Sequence, residues 1–414
     1  MRNRHFIVRY SLMLLFAVFA LQSSAQVLTG IEVLKRMDFQ PLEGLRVGLV
    51  TNPTGVDNDL VSDIDIFHDA PNVNLVALYG PEHGVRGSDH GGDHVADAKD
   101  KRTGVPVYSL YGKYKTPTEE ILRNVDILVY DIQDIGCRSY TFISTLGNVM
   151  KAAAKYGKKV MVLDRPNPLG GIKVEGNIVE EGCFTFISQF PIPYVYGLTV
   201  GELALMFNGE GMTGGKKCDL TVIPMKGWQR SMTYDQTGLQ WVMPSPHIPD
   251  AITSAYYAIS GLAGEMSSLS IGVGYTKPFR LFGAPWIDAN KLADSMNALN
   301  LPGYHFRPAY FKPFYSHFPK QECGGVEVYI TDYDQARLCD VQFLIAQELY
   351  KLYPSHDYFA QAPEKERILL DKTCGSKKIR QLFMKRHIWA DALEYWDKDV
   401  EPFRELSQKY YLYK

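Results

Sequence analysis

The sequence predicts an α/β protein: a Rossmann-like, doubly wound and mostly parallel sheet followed by an auxiliary α+β domain. In the first part of the chain, short β-branched runs alternate with helix-like stretches, as in successive βαβ units. Most of these runs are apolar throughout, which is typical of strands buried on both faces of a parallel sheet. From about Trp241 the alternation stops, and loops rich in Pro, Gly and aromatic residues take over. We therefore place the Rossmann-like domain at residues 26–240 and the auxiliary domain at residues 241–414.

Taken in order, the runs predict the strands and helices of each domain. The helix at 141–156 has the clearest signal, because its apolar residues recur at helical spacing. The first domain has predicted strands at 46–51, 75–79, 105–108, 127–130, 160–163 and 220–224, with helices at 60–68, 117–123 and 141–156; the second has helix 289–299, strand 325–331 and helices 340–352 and 377–408.

The first 25 residues have the pattern of an export signal. Arginines precede the apolar run 11–21, and small residues end the segment at Ala25. The run is too short to cross ~30 Å of hydrocarbon comfortably. Gln26 stands where a lipoprotein would carry a Cys, so no stable membrane anchor is expected. We expect cleavage near Ala25 and a periplasmic or secreted protein.

Charge and motifs exclude several classes of function. The formal net charge is −2 and there is no basic block, so a nucleic-acid partner is not expected. No GxGxxG motif opens a predicted helix, and no GxxxxGK[ST] or GxSxG motif is present, so the Rossmann-like pattern does not imply a nucleotide cofactor or a serine nucleophile. None of the six cysteines forms a CxxC pair, which favours one or two disulfides or buried free thiols over a zinc site.

Three predicted strands run directly into dense polar motifs. The carboxyl ends of strands in an open α/β sheet meet at one edge, so these motifs should converge on a single crevice. That crevice is the candidate active site and makes the first domain the catalytic one. The motifs are Gly80-Pro81-Glu82-His83-Gly84, Asp131-Ile132-Gln133-Asp134 and Asp164-Arg165-Pro166-Asn167-Pro168.

These motifs, in this order, resemble the exo-β-N-acetylmuramidases, the NamZ-like family. The likeness covers essentially the whole mature chain. It implies a Rossmann-like domain, an auxiliary domain and a cleft between them. It further implies release of N-acetylmuramic acid from the non-reducing end of peptidoglycan fragments, without metal or cofactor. The resemblance continues through Thr103 to Gly112, Gly201-Glu202-Leu203-Ala204, Trp228, Arg230, Pro244-Ser245-Pro246, Gly283-Ala284-Pro285-Trp286 and Cys323-Gly324-Gly325-Val326.

Glycoside hydrolysis needs a carboxylic acid that protonates the departing oxygen, and usually a second carboxylate. Glu82 is our candidate acid, because it follows a strand and is flanked by glycines that let substrate approach. The alternative is a Glu that caps the following turn. His83 is the candidate to relay a proton or orient Glu82, with a purely structural histidine as the alternative.

The candidates for the second carboxylate are Asp134, Glu202 and Glu265. Asp134 follows a strand end, although it could instead pair with Arg138 or Arg165 in the scaffold. Glu202 is also a candidate substrate contact, but Thr199 to Glu202 matches a helix capping box. Glu265 lies in a loop of glycines and serines, and the resemblance places it in a motif of the family's cleft.

The lactyl carboxylate of N-acetylmuramic acid calls for a bidentate donor, and three arginines are candidates, each of which could instead tie loops together. Asn167 is a candidate amide or hydroxyl contact, or a turn residue. Ser245 and His247 are candidates through the resemblance. We also expect one of three tryptophans to stack on a sugar ring. The arginines are Arg86, Arg138 and Arg165, and the tryptophans considered are Trp228, Trp241 and Trp286.

Two features support alternatives. The segment 88–94 holds two Asp and two His, so a metallo-hydrolase has to be considered, although the spacing fits no known metal pattern and none is predicted. The chain also departs from the family's usual pattern at Tyr196, His247, Ser268 and Val273. Ser268 and Val273 stand where the family usually has an Asn and an Arg, so hydrogen-bond donors are lost at these two positions. This keeps open a non-catalytic or altered-specificity protein that binds peptidoglycan fragments.

Overall fold

The computed structural model describes residues 26–87, 98–112 and 114–414. Its first domain is built on a seven-stranded sheet with the order β3-β4-β2-β1-β5-β6-β7. All neighbouring strands are parallel except the short β3, which is antiparallel to β4. The predicted α/β class is confirmed. The strands are β1 Arg46–Thr51, β2 Asn74–Gly80, β3 Ala98–Lys99, β4 Pro106–Ser109, β5 Ile127–Asp131, β6 Lys159–Leu163 and β7 Asp219–Ile223.

Helices cover both faces of this sheet, as doubly wound topology requires. Successive side chains of a strand point to opposite faces. Accordingly Val47 and Leu49 pack in one core cluster with the first two helices, while Val50 packs in another with the fourth and fifth. The helices are α1 Gly30–Arg36, α2 Asp63–Asp69, α3 Glu119–Leu122, α4 Phe142–Tyr156 and α5 Val200–Gly209.

The strand order reverses at β1. From β1 the chain moves outward through β2 to β4, then returns to the other side of β1 and continues through β5, β6 and β7. A crevice forms at such a reversal, outside the carboxyl ends of the strands. The sequences that follow β2 and β5 therefore flank one opening.

The second domain packs helices around a three-stranded antiparallel sheet with the order β8-β10-β9. The predicted helix 340–352 is confirmed, whereas α6, α9, β8 and β9 were not predicted. The elements are α6 Thr253–Ser260, β8 Leu281–Ala284, α7 Ala289–Ala298, β9 Tyr304–Phe311, β10 Cys323–Ile330, α8 Asp340–Leu352, α9 Glu364–Cys374, α10 Lys377–Phe383, α11 Ala390–Asp397 and α12 Val400–Ser407.

The single long helix predicted at 377–408 is wrong, because three helices occupy this stretch. The first ends at Phe383. The turn that follows is closed at His387, which has a left-handed φ of 54° and whose N–H donates to the carbonyl of Phe383 at 2.7 Å. The last begins at Val400 and carries Pro402 in its first turn, where no N–H is needed. The apolar spacing continues across these breaks, so periodicity alone did not reveal them.

The end of the chain returns to the first domain. Phe403 packs in the core cluster of α4 and α5. Tyr413 donates its hydroxyl to the carboxylate of Asp164, and the N–H of Leu412 donates to Glu202 at 2.9 Å. The last residues of the predicted auxiliary domain thus complete the core of the catalytic one.

Buried polar side chains join the two domains. The Glu175 carboxylate accepts the N–H groups of Leu338 and Cys339 at 2.9 and 2.8 Å, at the start of α8. The guanidinium of Arg138 donates to carbonyls of both domains, including Thr373 at 3.0 Å.

All six cysteines are buried free thiols, the second of the two alternatives drawn from the sequence. Within the described ranges, no helix combines the length and apolar character needed to cross a bilayer.

Arg230 and Glu202 form a buried ion pair whose loss should be costly. Arg230 Nη1 lies 2.8 and 2.9 Å from the two carboxylate oxygens of Glu202, and Glu202 is fully buried. Arg230→Met leaves that carboxylate uncompensated, so we expect a loss of about 3 to 5 kcal/mol in the free energy of unfolding, measured with urea. The matched control Arg386→Met breaks an exposed Arg–Asp pair and should change stability little. Similar losses in both variants would contradict this interpretation.

Candidate active site

A cleft of about 560 Å³ lies between the two domains. Four of the predicted site residues line it: Glu82 and His83 from the first domain, and Ser245 and His247 from the segment that leads into the second. Around them the cleft is mostly aromatic and hydroxyl-bearing. The other lining residues are Tyr111, Lys115, Ser139, Tyr140, Thr141, Phe142, Thr185, Phe186, Ile187, Ile248, Tyr257, Phe279, Leu369 and Lys372.

A tight turn after β2 presents Glu82 and His83 to the cleft. The N–H of Gly84 donates to the carbonyl of Pro81 at 3.0 Å, which closes the turn. His83 has a φ of 73°, a strained conformation that clusters at functional sites. A Cβ on Gly80 would lie 3.1 Å from Gly84 Cα. The glycines on either side of Glu82 therefore allow the close approach that puts this carboxyl at the tip.

Two histidines and a tyrosine flank Glu82. His247 Nε2 lies 2.9 Å from the hydroxyl of Tyr315. Burial lowers the pKa of His247, and the nearby His83 lowers it further. The Nδ1 atom of His83 is buried and has no hydrogen-bond partner among the described residues. Burial, with a hydrogen bond to Glu82, raises the pKa of Tyr111 to about 12, so the phenol stays protonated and can donate to that carboxylate. Tyr111 thus orients Glu82, while His83 and His247 border the same part of the cleft.

Asp134 lies beside the cleft rather than in its lining. It is 3% exposed, accepts a hydrogen bond from Tyr196 and accepts another from the N–H of Gly136 at 2.9 Å. Burial raises its pKa to about 7. The negative charge of Asp134 raises the pKa values of Tyr140 and Tyr257, and both of these tyrosines line the cleft.

Glu265 lies near the same wall from the side of the second domain. Burial raises its pKa to about 7, and its charge acts on Tyr257. It is half-buried. Two carboxyls with raised pKa values thus lie close to Tyr257, one from each domain.

The predicted arginines are not in the cleft lining, and this corrects the sequence-based set of substrate contacts. Arg86 pairs with Asp65 at 2.8 Å and with Asp100 at 2.9 Å. Arg165 forms a buried pair with Asp131 at 2.5 Å. Arg138 donates only to backbone carbonyls: those of Asn177 at 2.7 Å, Ile192 at 2.6 Å and Thr373 at 3.0 Å. All three guanidinium groups hold loops together.

Asn167 and Glu202 are corrected in the same way. Asn167 donates to the carbonyl of Leu198 and accepts the N–H of Leu169, both at 2.9 Å, which fixes a turn. Glu202 forms the capping box with Thr199 and the ion pair with Arg230. Both side chains have their polar atoms occupied by the scaffold.

The tryptophans expected to stack on sugar lie outside the cleft lining. Trp228 is buried with its ring edge-on to Tyr413, Trp241 donates to the carbonyl of Ile248 and Trp286 stacks on His356. Tyrosine and phenylalanine rings line the cleft instead, and they offer the same apolar faces. They are Tyr140, Phe142, Phe186, Tyr257 and Phe279.

Two lysines of the cleft were not predicted from the sequence. Lys115 follows the turn after β4, with its Nζ 4.2 Å from the ring centroid of Phe186, and Lys372 lies on α9. Neither makes an ion pair within the described part of the chain. A lysine in a surface loop or an exposed helix carries no local signal that separates it from other surface lysines, so only the fold could reveal this pair.

The departures from the family pattern have internal partners. Tyr196 donates to Asp134, Ser268 donates to the carbonyl of Tyr358 at 3.3 Å, and Val273 packs against the core of the second domain. The His-rich segment 88–94 lies outside the described residues. Within them, no three His, Cys, Asp or Glu side chains come together as a metal site.

A carboxylate, imidazoles and aromatic rings surround a cleft at the switch point of a doubly wound sheet, which is where α/β enzymes bind their ligands. Models of the N-terminal and C-terminal domains of the exo-β-N-acetylmuramidase NamZ match residues 47–252 and 255–413. The chain belongs to the NamZ exo-β-N-acetylmuramidase family.

Individual relatives agree with this assignment. The peptidoglycan β-N-acetylmuramidase NamZ of Bacillus subtilis is 42% identical over 388 residues, which cover 94% of this chain and 92% of that protein. The crystal structure of a DUF1343 family protein from Bacteroides fragilis is 57% identical with a TM-score of 0.91, covering 94% of this chain and 99% of that one. A second DUF1343 structure from the same organism is 28% identical with a TM-score of 0.74 and the same coverage.

The raised pKa of Asp134 predicts a pH dependence of stability. Between its unfolded pKa of about 3.9 and the folded value of about 7, the native state holds a proton that the unfolded state has lost. Stability should therefore fall as the pH rises from about 4 to about 7. We expect Asp134→Asn to remove about 1 to 4 kcal/mol of this fall, measured by urea unfolding at several pH values.

Asp126→Asn is the control for this experiment. Hydrogen bonds from Arg46 lower the pKa of Asp126 to about 2, so its titration is complete below the tested range. This variant should keep the wild-type slope between pH 4 and pH 7. If Asp134→Asn also keeps that slope, Asp134 does not hold a proton in the native protein near neutral pH.

Proposed function

We propose that this protein is an exo-acting glycoside hydrolase that releases N-acetylmuramic acid from the non-reducing end of peptidoglycan fragments, with Glu82 as general acid. The observation that carries the proposal is the position of Glu82, at the tip of a glycine-flanked turn that opens into a cleft between two domains. Membership of the family supports the reaction type. The pattern of the leader at residues 1–25 supports export to the periplasm or beyond.

In this mechanism Glu82 protonates the glycosidic oxygen as the bond to the terminal sugar breaks. His83 borders the same space, where its imidazole can orient the departing group. The developing positive charge on the sugar needs a carboxylate near the opposite side. Asp134 and Glu265 are the candidates, since both act on Tyr257 in the cleft wall. Glu265 is the more open to water, whereas Asp134 has two hydrogen bonds from the protein.

The charges of the cleft support this substrate. N-acetylmuramic acid differs from N-acetylglucosamine by a lactyl ether that ends in a carboxylate. Lys115 and Lys372 line the cleft, and neither makes an ion pair with a carboxylate among the described residues. The rings of Tyr140 and Tyr257 provide apolar faces for the pyranose. We assign the lactyl carboxylate to these lysines instead of to the arginines expected from the sequence.

Glu82→Gln tests the acid. The amide keeps the shape and hydrogen-bonding capacity of the side chain but has no proton to give, so we expect kcat to fall by about 100-fold to 10,000-fold. The assay is release of N-acetylmuramic acid from the disaccharide it forms with N-acetylglucosamine. The control Glu43→Gln changes an exposed glutamate far from the cleft and should keep wild-type activity.

Two outcomes would overturn the proposal. Undiminished turnover by Glu82→Gln removes Glu82 from the chemistry. The absence of any turnover by the wild type, together with saturable binding and recovery of the fragment uncut in calorimetry, establishes the alternative of a binding protein. The changes at Ser268 and Val273 are what motivate that alternative.

The lysines are tested by comparing two sugars. Lys115→Met and Lys372→Met keep much of the aliphatic stem and remove a charged contact, so we expect each to lower kcat/KM on the β-N-acetylmuramide by about tenfold to 100-fold. The residual activity on the corresponding β-N-acetylglucosaminide, which has no carboxylate, should fall less. Lys151→Met on the exposed side of α4 is the control. Equal losses of kcat/KM on the two sugars would show that the lysines do not recognise the lactyl carboxylate.

A further inference from the structure

Two large aromatic side chains project into solvent from the connection between β9 and β10. Phe314 is 67% exposed and Tyr315 is 55% exposed. Most other aromatic rings of the second domain are buried or half-buried in its core. Adjacent aromatic rings left open to water on a folded domain are typical of binding surfaces.

The backbone holds these rings in a defined position. The N–H of Phe314 donates to the carbonyl of Gly274 at 2.8 Å, and its ring stacks on Tyr275 with centroids 6.0 Å apart. Gly274 has a φ of +87°, and a Cβ there would lie 2.1 Å from the carbonyl oxygen of Tyr315. Only glycine fits this approach, so the surface is built in advance of any ligand.

The aromatic pair is continuous with the cleft at the end that holds Glu82. The Tyr315 hydroxyl lies 2.9 Å from His247 Nε2, and His247 lines the cleft. His247 lies close enough to His83 for the charge of His83 to lower the pKa of His247. His83 follows Glu82 in the same turn. Tyr315 therefore stands two side chains away from the proposed acid, on the side that opens to solvent.

We propose that Phe314 and Tyr315 form the platform for the leaving saccharide, the N-acetylated sugar on the reducing side of the scissile bond. This inference rests on the proposed function. A general acid contacts the oxygen that joins the terminal sugar to the next one, so the next sugar lies just past the acid. A pyranose has an apolar face that stacks on aromatic rings, and a neutral N-acetylated sugar offers such a face to these two rings.

The experiment compares two substrates with the same terminal sugar. One is the disaccharide of N-acetylmuramic acid and N-acetylglucosamine, and the other is methyl β-N-acetylmuramide, whose methyl group is too small to reach the platform. In Phe314→Ala/Tyr315→Ala we expect KM for the disaccharide to rise about fivefold to tenfold. The rise for the methyl glycoside should be several-fold smaller. Tyr310→Ala, which removes a ring that is 61% exposed on β9, is the matched control and should leave both constants near wild type.

Equal changes in KM for the two substrates, or no change for the disaccharide, would overturn the platform. Sedimentation of the wild type and the double variant covers another occupant: a dimer that becomes monomeric on loss of the rings would assign the surface to a second copy of the chain. If the wild type cleaves neither substrate, the proposed function fails. The platform is then decided by calorimetry, where unchanged affinity of the double variant for the uncut disaccharide overturns it.

Discussion

The contacts of Arg138 fix the spacing of the two domains, and the cleft depends on that spacing. Its guanidinium is buried and is shared between carbonyls of the first domain and the carbonyl of Thr373 at the end of α9. A buried charge without a carboxylate partner is tolerated only when backbone dipoles surround it. Lys372 precedes Thr373 on the same helix, so this contact also helps to hold Lys372 in the cleft lining. The Arg138 contact that holds the two domains together therefore also positions Lys372, the proposed substrate contact.

The pattern of the strands could be predicted because it is local. An apolar β-branched run followed by a polar, glycine-containing turn specifies both the strand and the residues at its end, and this located Glu82 and His83 at the crevice. The partners of Arg138 could not be predicted. They lie 39, 54 and 235 residues away in sequence, and an arginine after a strand end has the same local pattern whether it binds a substrate or a carbonyl. The same limit applies to Lys372, whose position follows from how α9 packs.

The carboxyl groups near the cleft have different environments. Glu82 stands on a turn that reaches the open cleft, with Tyr111 as a donor. Asp134 and Glu265 are set back, and burial is the main cause of their raised pKa values. Glycosidases separate the roles of their carboxyls by such differences in environment. Here one carboxyl is in position to contact a substrate, and two others can place charge behind a wall of tyrosines.

Two of the positions expected to depart from the family pattern contact groups in or beside the cleft. Tyr196 donates to Asp134, and His247 pairs with Tyr315 on the rim. Each new side chain thus forms a hydrogen bond that involves a group already placed in or beside the cleft. These two side chains therefore shape the surroundings of the proposed reaction: Tyr196 through the carboxyl behind the tyrosine wall, and His247 through the aromatic rim.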